Sequence, residues 1–269
     1  MIVRTSADSP LLVRQTDHAL LSGAFAAAWE WEMHHRDSVL IAAARHDDGW
    51  AGWELAPRLG DDGRPLTFIT TPVEDHVALY KHGIDLVEVE DPYAGWLVSM
   101  HGERLYTRPF VSGAPPRIET LTGRDRELAD EYVAYETQRQ AVLAETSIRF
   151  LGGPLVTGDL VAEAEQAWRL IQVWDRLSLL CCMQEPDPSA SLEMPTVRGP
   201  DGEQVQLEAR GTEDGALEVH PYPFGTGERT FHLAALDPGA AKWEDERSFR
   251  EAYRLARPVA VEVRVRPRA

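Results

Sequence analysis

Near Pro186 the spacing of apolar residues changes, and that change constrains the fold more than any other feature of the sequence. Before it, apolar residues recur at intervals of three and four, which gives a helix one buried face; after it they alternate, which suits a half-buried strand. In the first part, Thr16 or Asp17 is placed to cap a helix through Trp29, and Asp37 or Ser38 a second helix that Gly49 would stop. A third helix spans Thr71 to Gly83, and the Asp91-Pro92 pair opens a fourth that reaches Tyr106. Two long helices follow, Gly123 to Phe150 and Asp159 to Met183, with an LGGP turn at 151–154 between them. Later, Gln204 to Ala209, Ala216 to His220, Arg229 to Ala234 and Val259 to Val265 read as strands, interrupted by a helix from Glu246 to Leu255. Met1 to Thr5 is a further strand candidate. The prolines of the PYPF segment at 221–224 exclude the middle of a sheet, so an edge or bend should lay Tyr222 and Phe224 against the helices. The expectation is a mainly α fold: a helical body over 1–190, with a small antiparallel sheet from 191–269 packed on it.

Composition narrows the function classes. A hydrophobic fraction of 43% with eight tryptophans excludes general disorder. Lysine and arginine number 27 against 44 acidic residues, a formal charge of −17, which argues against a nucleic-acid partner. The one basic cluster, Arg264, Arg266 and Arg268, falls in the strand-rich part. No stretch has the form of a signal peptide and none is apolar enough to span a membrane, so the expectation is a cytoplasmic protein with no membrane partner. Cys181 and Cys182 are adjacent and share no helix face, so they read as reduced thiols and not as metal ligands.

Several polar residues lie on faces that are otherwise apolar. His18 shares a stripe with Ser22, Phe25 and Trp29; His46 shares one with Val39, Ala42 and Ala43. His101 falls with Ala94, Leu97, Val98 and Leu105, and Asp175 with Ala164, Trp168, Ile171 and Cys182. Glu165, Arg169, Gln172 and Arg176 form the solvated stripe of that last helix. Taken singly, Asp175 could pair with an arginine and each histidine could be a satisfied core residue. Together they suggest convergence on a cation, because a buried carboxylate is costly unless paired or metal-bound. Imidazole nitrogens with carboxylate oxygens suit Mn, Fe, Zn, Co or Ni, and Mg less well.

The stretch RHDDGW at 45–50 resembles the HD-x-G signature of the HD superfamily of metal-dependent phosphohydrolases. TDHALLSG at 16–23 is similar to that superfamily's earlier histidine element, and QVWDRLSLL at 172–180 to its distant aspartate. The resemblance implies an HD-domain-like helical body with His18, His46, Asp47 and Asp175 as metal ligands. His76 and His101 occupy the order of the extra histidines in two-metal members, although His76 equally fits a surface helix start, and His82 competes for the role. Over the whole chain, MIVR, HDDGW, DPYAGWLVSMH, the W-x5-W-D-x-L-S segment and PYPF resemble an uncharacterised bacterial family, domain of unknown function 3891. That second resemblance implies no activity.

The implied function is hydrolysis of a small phosphorylated metabolite or nucleotide by water activated on one or two divalent ions. Asp47 would bridge two ions, and Asp48 would orient water unless it is simply a solvated helix end. Arg45, Lys81, Arg104 and Arg176 are candidates to hold phosphate, or else ordinary surface charges. Trp50, Trp53 and Trp96 could stack on a base or sugar, or be core. Two alternatives remain: an HD-fold oxygenase with two irons, which needs His76 and His101, and a non-catalytic metal- or ligand-binding module. A homodimer is compatible with the sequence.

Overall fold

The computed structural model describes residues 1–5, 10–109, 113–152 and 157–268. Two short strands, β1 (Ile2–Arg4) and β2 (Leu11–Val13), precede the helices α1 (Gln15–Ala28), α2 (Arg36–Arg45), α3 (Trp50–Glu54), α4 (Val73–Glu90) and α5 (Pro92–Thr107). Then come α6 (Arg117–Thr120), α7 (Gly123–Leu151) and α8 (Thr157–Met183). Strands β3 (Ser191–Arg198), β4 (Gln204–Gly211), β5 (Leu217–His220) and β6 (Arg229–Asp237) follow, with α9 (Glu246–Leu255) before β7 (Arg257–Pro267). The LGGP turn expected at 151–154 falls partly outside the described residues.

The expected fold, a mainly α HD-like body with a small antiparallel sheet, is corrected by the sheet. Its seven strands run in the order β1-β2-β6-β7-β5-β4-β3, and the β5–β7 pair is parallel, so the sheet is mixed. It draws strands from both ends of the chain: Leu12 of β2 pairs with Leu236 of β6. β1 and β2, at three residues each, are too short to display alternation. β3 went unseen because Pro195 interrupts its pattern. The structure accommodates that proline at an irregularity between Glu193 and Thr196 on an edge strand, where no ladder N–H is required.

One core joins helices and sheet. Phe231, Leu233 and Ala235 of β6 and Val263 and Val265 of β7 are buried on alternate positions, in the same cluster as Phe25 of α1 and Ile171 and Trp174 of α8. Phe224 is fully buried, with its ring 6.1 Å from Phe25 and 5.7 Å from Trp29. Tyr222 is half-buried against Phe224 and donates its hydroxyl to the Val265 carbonyl at 3.0 Å. The PYPF segment therefore fastens the sheet to α1.

Among the helices, Asp91 caps α5 by accepting from the Tyr93 and Ala94 amides, both at 2.9 Å, as the Asp-Pro pair predicts. Two expected stops behave differently. α2 ends at Arg45, before Gly49, and α4 continues through Gly83 to Glu90. Gly49 has ordinary helical dihedrals (φ −59°), so left-handed backbone is not its role. A Cβ there would lie 1.9 Å from the Leu79 carbonyl oxygen, and one at Gly83 would lie 2.8 Å from the Gly49 nitrogen. The two glycines let the segment after α2 press against the backbone of α4.

Candidate metal centre

α1, α2 and α8 turn one polar group each toward a common point. α1 carries His18, the residue after α2 is His46 with Asp47 beside it, and α8 carries Asp175; all four are between 1% and 3% exposed. His18 Nε2 lies 3.0 Å from Asp175 Oδ1, 3.8 Å from Asp47 Oδ2 and 3.3 Å from His46 Nε2. His46 Nε2 lies 3.7 Å from both Asp47 Oδ2 and Asp175 Oδ1. Ligand atoms bonded at about 2.1 Å to one ion and adjacent to each other sit roughly 3.0–3.4 Å apart, so this spacing needs only small shifts to enclose a cation. His18, His46 and Asp47 offer donor atoms all within 4.8 Å of one another; Asp175 joins them through its contacts with both histidines.

Surrounding bonds aim the donors. Ser178 Oγ donates to the Asp175 carbonyl at 2.8 Å and lies 2.7 Å from His18 Nδ1. Ser178 thus anchors the Nδ1 side of the His18 ring, leaving Nε2 to face the cluster. His46 Nδ1–H donates to the Ala43 carbonyl at 2.9 Å, with the same result. Asp47 accepts from Tyr80 Oη at Oδ1 (2.8 Å) and from Gln15 Nε2 at Oδ2 (3.1 Å). Burial opposes charge on His46, but Asp47 and Asp175 outweigh it and push its pKa up to about 9. Burial likewise opposes the Asp175 carboxylate, yet the bonds from His18 and His46 hold it well below the usual range. Burial and Asp47 both raise Tyr80, which stays a phenol and a donor.

The remaining candidates separate. His101 lies beside the cluster, its ring 4.8 Å from that of His46, with Nδ1 2.8 Å from Gln172 Nε2. Burial, with the neighbouring His46, brings its pKa down to about 4, so it stays neutral. His76 is buried, not a surface residue, but both its nitrogens are taken: Nδ1 is 2.8 Å from Tyr106 Oη, and Nε2 accepts from Arg117 Nη1 at 3.2 Å. It is therefore not placed to ligate. His82 is exposed. Asp48 accepts from Arg45 at 2.6 Å, and Arg45 also pairs with Glu90, so neither is offered to the centre. Lys81 lies over the Tyr135 ring of α7 at 4.7 Å. Trp50 and Trp96 are core residues and Trp53 is half-buried, so none presents a stacking surface at the centre. Arg104 and Arg176 face a separate cavity. Cys181 and Cys182 are free and buried.

Gln15, Tyr80, Ser178 and Gln172 escaped the sequence reading. Ser178 and Gln172 lie three residues either side of Asp175, a spacing that keeps them on its face of α8, so helical geometry alone could have found them. The helical pattern places Gln172 on the solvated stripe, but it is buried, at 7% exposure, against His101.

No helix among the described residues is long and apolar enough to cross a membrane. No curated protein and no solved structure matches the chain. A family model described as "Protein of unknown function (DUF3891)" matches residues 1–236, and the chain belongs to that family.

Proposed function

We propose that the protein binds one divalent first-row transition-metal ion through His18, His46, Asp47 and Asp175 and uses it to hydrolyse a small phosphorylated metabolite or nucleotide. The observation that carries this reading is the set of five donor–donor separations of 3.0–3.8 Å among buried side chains from three helical regions. The order of these residues along the chain, a histidine, a His-Asp doublet and a distant aspartate, resembles the HD phosphohydrolase motif, although the fold expected with it is not found. The donor set fits the ion: two imidazole Nε2 atoms facing inward, once deprotonated, and two carboxylates are ordinary first-row ligands. When bound, the ion would supply Lewis acidity toward a phosphoryl oxygen and lower the pKa of a coordinated water.

The chain's own residues prepare the site. Ser178 and the Ala43 carbonyl anchor the Nδ1 sides of His18 and His46, while Tyr80 and Gln15 hold the Asp47 carboxylate in one orientation. His101, neutral beside His46, adds no competing charge. One ion is favoured over two because His76 has no free nitrogen, which also weighs against a di-iron oxygenase. The enclosure of all four donors favours a second reading, in which the metal braces α1, α2 and α8 without turnover. Metal-loaded protein screened for phosphate release from nucleotides and sugar phosphates separates the two. Chelator-sensitive release supports the hydrolase, whereas metal retention with no release across the panel leaves the bracing role.

A further inference from the structure

α5, α8 and β3 line an open cavity of about 640 Å³, within the range that small-molecule sites occupy. In a chain of net charge −17, its lining carries four arginines, Arg104, Arg108, Arg169 and Arg176, against two glutamates, Glu165 and Glu193. Three of the arginines, Arg104, Arg169 and Arg176, are held by neighbouring groups. Arg104 lies over the Trp168 ring at 4.0 Å and donates through Nη2 to Glu165 at 2.7 Å. Its Nη1 is buried with no hydrogen-bond partner among the described residues, which leaves a donor that an oxyanion could satisfy. Arg169 and Arg176 reach the strand carbonyls of Thr196 and Glu193, each at the long distance of 3.4 Å. Trp168, Leu192 and Met194 give the same cavity apolar wall.

We propose that this cavity binds a small organic phosphate, its phosphate oxygens taken by Arg104, Arg169 and Arg176 and its uncharged body lying along the apolar wall. Several guanidinium forks around one space match the three oxygens of a phosphate dianion better than a single carboxylate. Gln172 lines this cavity and also touches His101 beside the metal centre, so the site adjoins that centre across one side chain. That the ligand is a substrate rests on the hydrolase reading; that the cavity binds it does not, and binding requires no metal.

The test is calorimetric titration of chelator-dialysed protein with ribose 5-phosphate, inorganic phosphate and malonate. Ribose 5-phosphate should bind with a submillimolar dissociation constant, and malonate about tenfold more weakly. Arg104→Gln and Arg169→Gln should each weaken ribose 5-phosphate by about tenfold or more while metal content is unchanged. Arg250→Gln, in a different arginine-lined cavity, should have no effect. If Arg104→Gln unfolds, Arg169→Gln carries the test, because that side chain is 36% exposed. No binding at about 10 mM, equal affinity for malonate, or unchanged affinity in Arg169→Gln would overturn the proposal. So would phosphate binding that appears only with metal and vanishes in His46→Gln, since the anion would then sit on the ion. Phosphate binding without metal uptake would instead sink the metal reading and leave the cavity standing.

Discussion

Single side chains decide whether the donor cluster can accept an ion. In the metal-free protein His46 holds its proton to about pH 9, so an ion must displace that proton to bind. Metal affinity should therefore rise about tenfold per pH unit between roughly pH 6.5 and 8.5 and level off above the His46 pKa. A competition assay against a chromophoric chelator reads this directly, and a flat profile would mean His46 is not a ligand. Ser178 acts through His18: Ser178→Ala frees the ring and should cost about 10–100-fold in metal affinity. Because the buried His18 Nδ1 loses its partner, the metal-free protein should also lose about 1–3 kcal/mol of stability, read as a lower melting temperature. Three residues of the cluster, His18, His46 and Asp175, were legible in the sequence because each is polar on an otherwise apolar stripe, and Asp47 because it adjoins His46. Tyr80 and Gln15 were not, since they reach Asp47 from segments 33 and 32 residues away and nothing local announces the contact.

At the scale of elements, close approach matters more than helix length. Gly49 and Gly83 let the segment bearing His46 and Asp47 press on α4, which carries Tyr80 to Asp47. Gly49→Ala drives a methyl into the Leu79 carbonyl and should cost about 1–3 kcal/mol in urea unfolding, with weaker metal binding. Gly52→Ala, with nothing within 4 Å, should be neutral or stabilising by up to about 1 kcal/mol, as expected for a helix position. Equal effects from the two would show that backbone contact is not what Gly49 provides. Sequence patterns read both Gly49 and Gly83 as helix stops because a glycine needed for contact looks the same as one needed for a turn. The long helices α7 and α8 were read correctly, their periodicity running over many turns. Pro195 hid β3 because its tolerance depends on an edge position that only the assembled sheet defines.

Across the whole molecule, helices and sheet share one core, so the sheet is part of what positions the donor cluster. Phe224→Ala empties a fully buried site between the sheet and α1 and should cost about 3–5 kcal/mol. Helical and aromatic circular dichroism should then melt together; separate transitions would show that the strand-rich part folds apart from the helices. If the cluster takes an ion, metal at about a hundredfold over its dissociation constant should add about 2.7 kcal/mol to the folded state, which for a chain this size should raise the melting temperature by roughly 5–10 °C. The most direct measurement is elemental analysis of the reconstituted, desalted protein beside His46→Gln and Asp175→Asn, each checked for native circular dichroism. The donor geometry predicts about one divalent ion per chain in the parent and loss of most of it in both variants. Folded variants that retain the parent's metal content, or a parent that holds none after reconstitution, would contradict the metal centre.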